Sequence, residues 1–130
     1  MIRYLSIEQV LFIHEKALEF HGGPRGLRDR SALESALKRP QMSAFGEDAY
    51  PTLFLKVAAL LHSLVQNHPF VDGNKRAAFG SMHMMLLVNG YDLASSTNVE
   101  VKMVLRVATG KLDVEGIVSW LEYAARKRKK

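Results

Sequence analysis

The chain has 130 residues, 48% hydrophobic and 24% charged. That balance is globular rather than disordered, and the length fills one domain with a true core but not a two-domain enzyme with an interdomain cleft. There is no cysteine, which excludes disulfides, thiolate catalysis and cysteine-ligated zinc. The formal charge of +5 points to an anionic partner such as nucleic acid, an acidic protein surface or a nucleotide. However, the run RKRKK at 126–130 supplies five of the basic residues, and without it the chain is formally neutral. A like-charged block of this kind is expected to be a frayed, solvated tail.

Residues 1–10 lack the basic-then-apolar layout of a signal peptide, and the longest apolar stretch, 57–65, is interrupted by His62 and Ser63. It falls far short of the roughly 20 residues that span a bilayer, so a reducing cytoplasm is the expected home and no membrane segment is expected.

In chain order, Ser6 and Gln9 form a capping box, after which Ile7, Val10, Leu11, Ile13, Leu18 and Phe20 recur at helical spacing until His21-Gly22-Gly23. The stretch 22–29, GGPRGLRD, is rich in turn formers, and Ser31 with Glu34 makes a second capping box for a short helix ending before Pro40. Between 41 and 50 the periodicity is weak, which fits an irregular segment or a small hairpin. Pro51 suits the first position of a third helix, whose Leu53, Phe54, Leu55, Val57, Ala58, Leu60, Leu61, Leu64 and Val65 leave hardly any polar face. It should be the buried central helix.

A fourth helix starts near Asn74 and runs through Ala77, Ala78, Phe79, Met82, Met85, Leu86 and Val88 to Asn89-Gly90. Ser96, Thr97 and Asn98 are candidate caps for a fifth, ending at Thr109-Gly110, and Asp113 with Glu115 opens a sixth through Ile117, Trp120, Leu121 and Ala124. No strand-like alternation of any length, repeat or linker is visible. The expected fold is all-α: one domain over 1–130, about six helices, with a polar loop between the two central apolar ones.

That loop, HPFVDGNKR at 68–76, gathers an imidazole, a carboxylate, a glycine, an amide and two cations, a mixture that packing does not require. Gly73 lets the backbone turn closely around a ligand, and the helix start after it offers unpaired N–H groups and a dipole that favour an anion. Lys75 and Arg76 are cations where the macrodipole disfavours them, which makes sense if a phosphate compensates. Asp72 would repel a bare phosphate, so it is better read as holding Mg²⁺, which takes one or two carboxylates plus phosphate oxygens and water. His68 is the best general base available near neutral pH. Phe70 has no chemistry to perform and should anchor the loop in the core.

The same nine residues resemble the signature HxFx(D/E)GN(G/K)R of the Fic/Doc superfamily at every defined position. GGPRGLRDRSALESALKRPQ before the loop, and NGYDL and ATGKLDVEGIVSWL after it, are similar to the Doc, or death-on-curing, branch. The resemblance implies a compact Fic/Doc-like helical fold, with His68 as base, Asp72 on Mg²⁺, and Gly73, Asn74 and Arg76 around the phosphates of ATP. AMP-transferring Fic proteins usually read GNGRxxR, whereas here Lys75 stands in the second glycine's place and Phe79 in the last arginine's. The lysine resembles Doc toxins, which act as kinases on a threonine of elongation factor Tu and so stop translation; the phage Doc motif usually has alanine where this chain has Gly73. The resemblance therefore implies a Mg-ATP-dependent toxin kinase, with AMP transfer onto a protein hydroxyl as the alternative. The self-inhibitory pattern (S/T)xxxE(G/N) fails at Glu115-Gly116, which Lys111 precedes by four residues, so a separate Phd-like antitoxin is implied, and any contact with nucleic acid is expected through it.

Other residues give weaker signals. His14, His21, His62 and His83 have no i, i+4 spacing among them and are expected to be satisfied core or edge histidines rather than metal ligands. Met82, Met84 and Met85 should be packing, and Arg25 and Arg28 ordinary exposed arginines. A basic nucleic-acid-binding module is the alternative of a different class, but no recognition helix, aromatic platform or basic stripe supports it.

Overall fold

In the computed structural model, which describes residues 1–129, five of six α-helices begin at a side chain that accepts a hydrogen bond from the first turn. Ser6 caps α1 (Ile7–His21), Asp29 caps α2 (Arg30–Lys38) and Thr52 caps α3 (Leu53–Asn67). Ser96 and Asp113 do the same for α5 (Thr97–Ala108) and α6 (Val114–Ala124). Each such cap stabilises its helix by about 1 kcal/mol. Only α4 (Asn74–Val88) starts without one, from Gly73 in the left-handed conformation.

The capping box at Ser6 and Gln9 forms as expected, but the one at Ser31 and Glu34 does not. Asp29 is extended and its N–H donates to the Pro69 carbonyl at 3.0 Å, which fixes the helix boundary there and places Ser31 inside α2, while Glu34 faces Arg30 at 3.7 Å. Pro51 precedes the Thr52 cap rather than opening α3.

α3 is the axis of the molecule. Val57, Ala58, Ala59, Leu60, Leu61, Leu64 and Val65 are all buried, and the helix packs against α2, α4, α5 and α6. Burying each such leucine contributes roughly 1.5–3 kcal/mol. Met82 and Met85 of α4 are buried in the same core, with Met84 packed at its edge. α1 lies along α4 so closely that a Cβ at Gly80 would stand 2.7 Å from Ile13 Cγ2. Between α2 and α3, Pro40 is buried in a short 3-10 turn, and Arg39 donates to Tyr50 Oη (2.8 Å) and Ser63 Oγ (2.9 Å) while facing His62 Nδ1 at 2.9 Å.

Short strands complete the fold. β1 (Ser43–Ala44) and β2 (Glu47–Asp48) form the small hairpin allowed for by the weak periodicity, turning at Phe45 and Gly46, both with positive φ. β3 (Tyr91–Leu93) pairs antiparallel with β4 (Ala125–Lys127) in the register Tyr91↔Lys127, Asp92↔Arg126, Leu93↔Ala125. This corrects the expectation of a frayed basic tail. Arg126 and Lys127 are ladder residues and the Arg128 N–H donates to the Gly90 carbonyl at 2.8 Å, so backbone pairing with the turn after α4 holds a segment whose charge pattern suggested solvent. Lys130 lies outside the described residues.

Candidate active site

The loop between α3 and α4 begins with an unusual backbone. His68 closes α3 at φ 48°, ψ 55°, a left-handed conformation that costs a non-glycine residue of order 1 kcal/mol. Arg28 compensates for it. Its guanidinium donates to the His68 carbonyl at 2.7 Å and to the Asn67 carbonyl at 2.9 Å, satisfying carbonyls that the end of α3 leaves unpaired. Segment 26–29 then runs along the loop: Arg28 and Asp29 N–H groups donate to the Pro69 carbonyl, and Val71 N–H to the Gly26 carbonyl. The glycine-rich stretch before α2 is therefore the wall on which the loop is built, and Arg28 is a structural clamp rather than an ordinary exposed arginine.

Phe70 is 2% exposed and anchors the loop as expected. Asn74 closes the turn: Oδ1 accepts from Phe70 N–H and Nδ2 donates to the Phe70 carbonyl, both at 2.9 Å. Because Phe70 N–H can only donate, the orientation of the amide is fixed, and Nδ2 faces His68 Nδ1 at 3.3 Å. The Asn74 side chain is thus occupied inside the loop, and what it presents to a ligand is its backbone N–H.

The remaining residues face outward. His68, Asp72, Lys75 and Arg76 are exposed and line, with Gly73 and Asn74, a groove of about 770 Å³, a volume that suits a nucleotide-sized ligand. The far walls are mostly apolar, with Ile13 and Phe20 from α1, Phe79 from α4, and Val101 and Val104 from α5, interrupted by Lys16 and His21 on α1 and Thr97 and Glu100 on α5. At the floor is the one α-helix start among the described residues with no side-chain cap, whose first N–H groups are open to an anion. Lys75 and Arg76 sit in that first turn with no ion-pair partner among the described residues, whereas the first turns of α1, α5 and α6 carry Glu8, Glu100 and Glu115.

The donor set suits magnesium. Asp72 immediately precedes the helix start at Gly73, its side chain lying against Gly23, and no group of three or more His, Asp or Glu residues gathers among the described residues. One carboxylate plus phosphate oxygens and water is the coordination Mg²⁺ prefers, and it is unlike a zinc cage. The structure therefore brings His68, Asp72, Gly73, Lys75 and Arg76 to one groove. Of the other histidines, His62 faces Arg39 and His83 bonds Asp92 at 2.8 Å. His14 is buried against the loop, stacked on Phe70 and 2.7 Å from the Asp72 carbonyl.

The Fic/DOC family model matches residues 4–86, from before α1 to near the end of α4. Over 123 residues the chain is 41% identical to a protein named Toxin Doc from Mycolicibacterium smegmatis, covering 93% of this chain and 92% of that one. Over 120 residues it is 28% identical to Protein kinase doc of Escherichia phage P1, covering 92% and 94% respectively. The loop and the three elements that build it, α1, α3 and segment 26–29, all fall within the matched span, and the chain belongs to the Fic/Doc family.

Proposed function

We propose that this chain is a toxin that moves the γ-phosphoryl group of Mg-ATP onto a serine or threonine hydroxyl of a translation factor, with elongation factor Tu the expected target. The observation that carries the reading is the start of α4: an uncapped helix N-terminus with Lys75 and Arg76 in its first turn, beside Asp72 and His68. The names of the two relatives, a toxin and a protein kinase, point the same way.

In this reading Asp72 holds Mg²⁺, which when bound screens the charge of the phosphates. The free N–H groups of the first turn, Lys75 and Arg76 balance the charge of the transferring phosphoryl group, the largest contribution a protein makes in such a transfer. The target hydroxyl loses its proton to the His68 imidazole, whose backbone is held by Arg28. Proton removal by a placed histidine contributes about 10²- to 10⁴-fold in rate. Phe79 makes the groove wall apolar where AMP-transferring relatives place an arginine, which favours presenting the γ-phosphate over gripping the whole triphosphate. The mostly apolar walls of α1 and α5 also suit an amphipathic, acidic segment of a Phd-like antitoxin. A reducing cytoplasm is where such a target and partner meet this cysteine-free chain; no helix among the described residues is long and apolar enough to cross a membrane.

The test supplies a translation extract with Mg²⁺ and ATP labelled at either the γ- or the α-phosphate. Protein label from the γ position alone, absent with His68→Ala, supports the kinase; label from the α position means AMP transfer. Salt-dependent nucleic-acid binding that survives His68→Ala, with no label transferred, would favour a binding module instead.

A further inference from the structure

We infer that His14, on α1 and 58 residues before Asp72, is a positioning residue that sets the place of the Asp72 carboxylate. The inference rests on the reading of Asp72 as the metal-nucleotide carboxylate.

Three contacts support it. The His14 ring lies flat on that of Phe70, centroids 3.7 Å apart and planes 6° from parallel. Its Nε2 is 2.7 Å from the Asp72 carbonyl oxygen, and since a carbonyl only accepts, Nε2 carries the hydrogen, which fixes the tautomer. A Cβ at Gly73 would stand 3.5 Å from the ring's Cδ2 and Nε2, so His14 also fills the space beneath the turn. One side chain thus fixes the residue before Val71 and the residue after it, while Val71 N–H is tied to Gly26. With the Phe70–Val71 peptide tied at its N–H and the Asp72–Gly73 peptide tied at its carbonyl, the backbone that carries the Asp72 carboxylate is held from both directions along the chain.

The end of α1 is shaped to the same purpose. Gly22 and Gly23 carry positive φ, and a Cβ at Gly23 would collide with Asp72 Oδ2. His14 itself is 6% exposed, so its ring does not reach substrate. It acts on the metal site through the backbone, as the partners behind metal ligands do.

The experiment uses the full chain with three substitutions: His14→Phe keeps the stack and loses the donor, His14→Gln keeps a donor at the position of Nε2, and Asp72→Ala removes the carboxylate. Amide hydrogen exchange over 70–74 is measured without nucleotide, and Mg-ATP binding by calorimetry without target. The expected result is faster exchange at 70–74 in His14→Phe, affinity for Mg-ATP lower by about 10-fold, as for lost outer-shell partners of a metal, and partial rescue of both in His14→Gln. Unchanged exchange and affinity in a folded His14→Phe overturn the inference. Should Asp72→Ala bind Mg-ATP as wild type does, the reading of Asp72 fails, while the exchange of 70–74 still decides whether His14 holds the loop. Should His14→Phe not fold, the wild-type ring decides: a slowly exchanging His14 Nε2–H in nitrogen-15 spectra is required, and its absence contradicts the proposal.

Discussion

Asn74 satisfies both backbone polar groups of Phe70, accepting from its N–H and donating to its carbonyl, each at 2.9 Å. A residue at the first position of a helix thereby closes the turn before it, and the aromatic anchor of the loop is held at its backbone as well as its ring. Asn74→Ala leaves two buried polar groups of Phe70 unpaired at about 1–3 kcal/mol each. Denaturant unfolding should show a stability loss of about 2–6 kcal/mol, larger than for Lys75→Ala, whose side chain has no ion-pair partner among the described residues.

Arg28 clamps the end of α3. Arg28→Met removes charged hydrogen bonds to the Asn67 and His68 carbonyls at 2.9 and 2.7 Å. Because the bonds are solvent-exposed, the expected loss of stability is about 1–2 kcal/mol, read from the shift of the denaturation midpoint. The transfer rate should fall further, by about 10- to 100-fold, since a small displacement of a placed base is costly.

His68 combines chemistry with a left-handed backbone. His68→Asn should lower phosphoryl transfer by about 10²- to 10⁴-fold with little change in melting temperature, because asparagine tolerates that conformation. His68→Ala should be as inactive and about 1 kcal/mol less stable. Parallel melting curves and rate measurements separate the two effects.

Away from the site, His62 should make stability depend on pH. Burial, and then the positive charge of Arg39, lower its pKa, with Asp113 pulling the other way. Its Nδ1 faces an Arg39 nitrogen that can only donate, so the folded state needs the neutral ring. With the folded pKa below the unfolded one, the unfolded chain binds the extra proton first. The contribution is fully present above about pH 6.5, the ordinary histidine value, and is lost as pH falls from there through the lower folded value. Urea midpoints between pH 7.5 and 5 should fall less steeply in His62→Gln than in wild type.

Local signals carried much of the fold. Ser6 with Gln9, Asp113 and the Asn89-Gly90 stop are contacts within one turn of helix, and each acts where its spacing places it. The candidate site was legible for the same reason: its outward-facing residues are contiguous, at 68–76. The supports of that loop were not. Arg28 and His14 reach it across 40 and 58 residues, and nothing in their neighbours' spacing distinguishes a clamp from a surface arginine or a core histidine. The basic run at the end misled because charge patterning reports solvation, whereas Arg126 and Lys127 are held by backbone bonds to β3 that no side-chain pattern encodes.

In the proposed reaction, ATP bound at the α4 N-terminus gives its γ-phosphoryl group to a protein hydroxyl and leaves as ADP. The most direct test of this transfer is the intact mass of elongation factor Tu after incubation with the chain, Mg²⁺ and ATP, with His68→Ala in parallel. A gain of about 80 Da, absent with the variant, is the expected result for one phosphoryl group; a gain of about 329 Da, the mass of an AMP group, would contradict it and turn the same groove into an AMP-transferring site.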